Sequence, residues 1–180
     1  MVVNSSFIVV QDADVLEPEL ESSTIDGEAF QILRLTQKHR NVLVEMYRGF
    51  EPLGSAMGLP PTNEERRVDW IDRACALGQQ INLGAFSPAG DLVAHCFLAV
   101  SGIHEAELAI FVRQEYRRRG LGSELVKRAL ECAAGEKRQR VWAVVGVEDL
   151  LVQRVLTRNG FRFSQYALPA VEFDITLLKT

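Results

Sequence analysis

No apolar run in this sequence approaches the roughly 20 residues that cross a bilayer as a helix, so no membrane association is expected. Cysteine is scarce: Cys75, Cys96 and Cys132 are odd in number, far apart and outside any Cys-x-x-Cys pair. That spacing argues against a disulfide framework and against a zinc site, and makes a reducing cytoplasm the expected compartment. His39, His95 and His104 show no ligand spacing either, and no metal is expected. Positive charge is missing altogether from the first 33 residues, where the first base is Arg34. A signal peptide begins with a basic region, so none is expected here.

What the first 33 residues hold instead is acid: Asp12, Asp14, Glu17, Glu19, Glu21, Asp26 and Glu28. Removing these seven from the total leaves 17 acids against 20 bases. The net charge of −4 therefore belongs to the leader, and the remainder is mildly basic at +3. Residues 1–28 read as an acidic, solvated extension in which "FIVV" could pack as an edge strand, against this chain or a second subunit. Residues 29–180 read as a single domain, for which 47% hydrophobic content is ample.

Along that domain "AFQILRLT" alternates as a first strand, and Thr36 can cap the helix "QKHRNVLVEMYRGF". The Gly- and Pro-rich "EPLGSAMGLPPTNEE" separates it from a second helix, "EERRVDWIDRACAL". Three strands follow in "INLGAFS", "DLVAHCFLAV" and "AELAIFV". "GLGSELVKRALECAAG" is an amphipathic helix, with Leu121, Leu125, Ala129 and Ala133 recurring every four residues. Then come the strand "RVWAVVGV", the helix "EDLLVQRVLTRNG" ended by Gly160, and the strands "FRFSQY" and "AVEFDITLL". The order β-α-α-β-β-β-α-β-α-β-β defines an α/β (α+β) domain, a mixed central sheet flanked by helices.

One stretch, "FVRQEYRRRGLGSELV", places Arg117, Arg118 and Arg119 directly before Gly120-Leu121-Gly122, where a strand hands over to a helix. The first turn of a helix has four N–H groups without intrahelical partners and carries partial positive charge. Glycines there let an anion approach the backbone, and arginines add charge, so the turn suits a pyrophosphate. The duller alternatives are a solvated helix N-terminus and a nucleic-acid contact. Arginines there oppose the dipole unless an anion is present, and no second basic run supports nucleic acid.

Arg117-Arg118-Arg119-Gly120-Leu121-Gly122 resembles the Gln/Arg-x-x-Gly-x-Gly/Ala signature of the GNAT superfamily of N-acetyltransferases, and the likeness in element order runs from about Gln31 to the C-terminus. The resemblance implies a GNAT-like acyl-CoA N-acyltransferase fold and acetyl-CoA as co-substrate. Arg117, Arg118, Arg119, Gly120, Leu121, Gly122 and Ser123 would then bind its pyrophosphate, and Ile110, Phe111 and Val112 its pantetheine arm. An amine near pKa 10.4 is protonated at pH 7, so direct attack on the thioester calls for a general base. Glu107, in "EAELAIFV", is the candidate, on the face shared with Ala109 and Phe111. That strand is similar to the one carrying the base in bacterial protein-lysine acetyltransferases of the superfamily.

Glu105 or His104 could substitute for Glu107. The resemblance also has a gap. The family's usual proton-donating Tyr is replaced by Leu156, which leaves solvent, or Tyr166 on the next strand, to protonate the leaving thiolate. It also leaves a non-catalytic coenzyme A sensor as the alternative to an N-acetyltransferase. Tyr47, Phe50, Met57 and Leu59 could form an apolar acceptor wall, with Glu45, Glu51 and Glu64 drawing in a cation. The expected partner is an amine-bearing small molecule or a protein substrate, with no nucleic acid. Edge pairing through "FIVV" or "FDITLL" would permit a homodimer.

Overall fold

A computed structural model describes residues 21–25, 27–53, 59–75 and 80–177. Among the described residues eight strands form one sheet: β1 (Glu21–Ile25), β2 (Glu28–Arg34), β3 (Gln80–Phe86), β4 (Leu92–Val100), β5 (Glu105–Val112), β6 (Arg140–Gly146), β7 (Arg162–Ala167) and β8 (Ala170–Thr176), in the order β1-β2-β3-β4-β5-β6-β8-β7. The described α-helices that flank it are α1 (Arg40–Arg48), α2 (Glu64–Cys75), α3 (Leu121–Gly135) and α4 (Leu150–Arg158). Every neighbouring pair of strands is antiparallel except β5 and β6, which are parallel and joined through α3.

The helices divide between the two faces because the strands sort their side chains by parity. On β5, Ala106, Leu108, Ile110 and Val112 face the core that contains Leu121, Leu125, Ala129 and Ala133 of α3, the predicted apolar stripe. Ala109 and Phe111 face the opposite core, with Leu43, Met46 and Tyr47 of α1 and Ile71 and Cys75 of α2. The helix expected to begin at Gln37 opens instead with a single 3-10 turn, Gln37–His39. There His39 Nδ1 accepts a 3.0 Å hydrogen bond from the Thr36 N–H.

β1 was not anticipated. It lies inside the acidic segment and pairs along its whole length with β2, from Glu21 opposite Ile32 to Ile25 opposite Glu28. Gly27, at φ 79°, leads into β2, and the sequence dipeptide Asp26-Gly27, which favours tight hairpin turns, was the overlooked signal. The proposed edge strand "FIVV" lies outside the described residues. No helix among the described residues is long and apolar enough to cross a membrane.

Candidate functional site

The parallel pair opens in the middle of the sheet. β5 and β6 are in register only from Glu105–Arg140 to Glu107–Trp142. Both continue, β5 along β4 to Val112 and β6 along β8 to Gly146. Past Glu107 and Trp142 the facing strand edges are therefore not paired with each other, and unpaired strand edges are hydrogen-bonding surfaces for a ligand. A cleft of about 810 Å³ occupies the opening and reaches the turn at the start of α3. Of the residues expected to form the site, Glu107, Ile110, Phe111, Val112, Arg117, Arg118, Gly120, Gly122 and Ser123 line it; Arg119 and Leu121 do not.

The turn itself is built to face an anion. Arg118 and Gly120 are both left-handed, at φ 64° and 92°. Left-handed residues at such spacing curl successive N–H groups into a concavity. Among the described residues, none of the N–H groups from Arg118 to Ser123 donates to a protein acceptor; helical bonding across the junction starts with Glu124 N–H to Gly120 O at 3.1 Å. Gly122 sits against β5: a Cβ there would lie 3.4 Å from Ile110 Cδ1. Ser123 Oγ accepts a 2.8 Å hydrogen bond from Asn159 Nδ2, which ties the start of α3 to the end of α4.

The three arginines have three different environments. Arg118 is exposed, lines the cleft and has no ion pair among the described residues. Arg119 pairs with Glu28 Oε1 at 3.1 Å and lies 5.3 Å above the Tyr116 ring. Arg117 donates from Nε to Val112 O at 2.8 Å and from a terminal nitrogen to Glu51 O. The guanidinium groups of Arg117 and Arg119 are thus held by protein groups. Leu121 is 1% exposed, a core residue of α3.

On the other face of β5, Phe50, Pro52 and Leu59 join Phe111 as the apolar side of the cleft. Tyr47, expected beside them as a wall residue, is fully buried, and its ring packs edge-on against Phe50 and Phe111. Its hydroxyl donates to His95 Nδ1 at 2.8 Å, His95 Nε2 donates to Asn82 Oδ1 at 3.0 Å, and Asn82 Nδ2 donates to Ala74 O. This buried chain links α1, β4, β3 and α2 and holds His95 in one neutral tautomer. Burial pulls its pKa down to about 3. Sequence periodicity could not reveal it, because its members come from four separate elements. Tyr47→Phe strands the buried Nδ1 without a donor and should cost about 1–3 kcal/mol, measurable by urea unfolding. Met57 lies outside the described residues.

Glu107 is half-buried, and burial raises its carboxyl pKa. Its stand-ins fare differently. Glu105 forms an ion pair with Arg140 at 3.2 Å, and His104 is exposed and does not line the cleft. Leu156 is fully buried and lines the cleft, so the position offers no proton. Tyr166 is 72% exposed on β7, with its ring 4.9 Å from that of Phe163 and tilted by 59°, and it does not line the cleft, which removes it as a substitute donor. Glu45 is an ion-pair partner of Arg48.

A family model described as the acetyltransferase (GNAT) family matches residues 16–161. No curated protein sequence matches significantly. Among solved structures, the fold is similar to the GNAT domain of S. lividans PAT, with TM-score 0.76 at 17% identity, covering 88% of this chain and 97% of that one. It is similar to the PaiA N-acetyltransferase of Thermoplasma acidophilum in complex with coenzyme A, with TM-score 0.66 at 16% identity, covering 82% and 99%. The spermidine/spermine N-acetyltransferase SpeG of Vibrio cholerae gives TM-score 0.63 at 13% identity over 82% and 93%.

Proposed function

The chain belongs to the acetyltransferase (GNAT) family, and on that premise we propose that it binds acetyl-CoA in the β5–β6 opening and transfers the acetyl group to a primary amine. The observation that carries this reading is the row of N–H groups from Arg118 to Ser123 without protein acceptors, at the mouth of an opened parallel strand pair. These N–H groups and the Arg118 side chain fit a pyrophosphate, and Gly120 and Gly122 leave the approach free of Cβ atoms. The exposed edges of β5 at Ile110, Phe111 and Val112 suit an amide-bearing pantetheine arm. Bound there, acetyl-CoA supplies an activated thioester.

The chain's own residues supply position and proton transfer. Glu107, on the face of β5 toward α1 and α2, takes the proton from the incoming ammonium, directly or through a water. Phe50, Pro52 and Leu59 exclude water beside it and hold the amine's carbon stem, which strengthens every polar contact in the site. With Leu156 in the usual Tyr position, the thiolate takes its proton from solvent. The acceptor is a protein lysine, a protein N-terminus or a small-molecule amine; the likeness to SpeG, a spermidine/spermine N-acetyltransferase, supports the last.

Calorimetry with acetyl-CoA, followed by thiol release on a panel of a lysine peptide, a free N-terminal peptide and spermidine, tests the proposal. Micromolar binding with amine-dependent thiol release is the expected result. Binding without release on any amine would make the chain a coenzyme A sensor, and no binding would remove the site altogether.

A further inference from the structure

Within the arginine triplet Arg119 turns to Glu28 on β2, whereas Arg117 is the member whose side chain reaches the chain just past α1. Its backbone opens the coenzyme turn, yet its guanidinium bridges two other elements: Val112 O at the end of β5 and Glu51 O just past α1. It also lies over the Phe50 ring, 5.8 Å from the centroid. Phe50 and Pro52 flank Glu51 and line the acceptor side of the cleft. The far end of the same α1–α2 connection is held by a second arginine: Arg67, only 8% exposed, donates to Pro61 O at 2.9 Å and Thr62 O at 3.2 Å. The connection is therefore pinned at both described ends, but only the Arg117 pin is rooted in the turn that meets the coenzyme.

We propose that Arg117 is a positioning residue that couples the coenzyme turn to the acceptor wall, so that occupation of the turn orders the segment carrying Phe50, Glu51 and Pro52. This rests on the reading of the turn as the pyrophosphate site. A planar guanidinium can donate in two fixed directions at once, which a lysine ammonium on a flexible stem does poorly. An anion on the N–H groups of residues 118–123 immobilises the backbone from which Arg117 projects. The ordering cost of holding Glu51 and its neighbours then falls, which is coupling through lost freedom rather than through displacement. The amine would accordingly meet a formed wall only after acetyl-CoA is bound.

The test is amide hydrogen exchange resolved by residue, with and without acetyl-CoA, on the full chain and on Arg117→Gln, Arg117→Lys and Arg67→Gln. In the unmodified chain acetyl-CoA should slow exchange by about fivefold or more both at residues 118–123 and at Glu51 and Leu53. Arg117→Gln should keep the slowing at the turn and lose it at Glu51 and Leu53, and Arg117→Lys should restore part of it. Arg67→Gln should speed exchange near Thr62 in both states while the acetyl-CoA-dependent slowing at Glu51 persists. A merely structural role for Arg117 would change exchange equally with and without the ligand. Full ligand-dependent slowing at Glu51 in Arg117→Gln, or slowing at the turn alone in the unmodified chain, overturns the coupling and leaves the coenzyme site standing. No slowing at the turn overturns both.

Discussion

Gly120→Glu is expected to weaken acetyl-CoA binding by about 100-fold or more, a loss of about 2.7 kcal/mol. Two effects act in the same direction. Gly120 sits at φ 92°, where any side chain is strained by about 1–2 kcal/mol, so the turn shifts to relieve it. The new carboxylate then stands among N–H groups that are positioned for an anion, occupies their concavity and repels a pyrophosphate. Space is not the obstacle, because a Cβ at Gly120 would meet only Ile25 Cγ2 at 3.7 Å. Gly120→Ala separates the two effects by carrying the strain without the charge, and should fall between the parent and Gly120→Glu in calorimetry. Equal affinity in all three proteins would place the anion elsewhere.

Glu107→Gln is expected to lower kcat by about 10²–10⁴-fold while acetyl-CoA affinity stays within about twofold. The amide keeps the shape but cannot take a proton. The raised pKa of Glu107 fixes the sign of the pH dependence. As the proposed base, Glu107 would work as carboxylate, so kcat/KM should fall on acidification, through a pKa above the ordinary carboxyl value of 4.5. Stability moves the opposite way. A carboxyl whose pKa is raised by folding favours the native state below its unfolded value, and that contribution is lost as pH rises through the folded value. Glu107→Gln should therefore be no less stable than the parent at neutral pH, and its acid limb should disappear. A pH–rate profile with the same acid limb in both proteins would assign the base to another group.

Much of the fold could be read from local pattern. The four-residue recurrence of Leu121, Leu125, Ala129 and Ala133 matches the buried stripe of α3, because a helix must hide one face. The alternation through Glu107, Ala109 and Phe111 correctly put these side chains on one face of β5, because side-chain direction in a strand has a period of two. The turn could be read because its chemistry is contiguous: Gly120 must adopt a left-handed conformation, and it stands next to the N–H groups it exposes. β1 was missed because the acidic composition of the leader outweighed a single Asp26-Gly27 turn signal.

The sequence by itself determined the element order from β2 onward, the glycine turn before α3 and the carboxylate on the central strand, since each depends on neighbours a few residues away. Only the tertiary structure decided what each charged or aromatic side chain does. Arg117, Arg118 and Arg119 are identical in sequence, yet one bridges Val112 and Glu51, one faces the cleft and one pairs with Glu28. Tyr47 and Phe50 lie one helical turn apart, yet the first is buried against His95 and the second lines the cleft. The partners lie up to 91 residues away along the chain. A side chain's role is set by what it meets, and those meetings exist only once the sheet has opened between β5 and β6 and the helices have closed on its two faces.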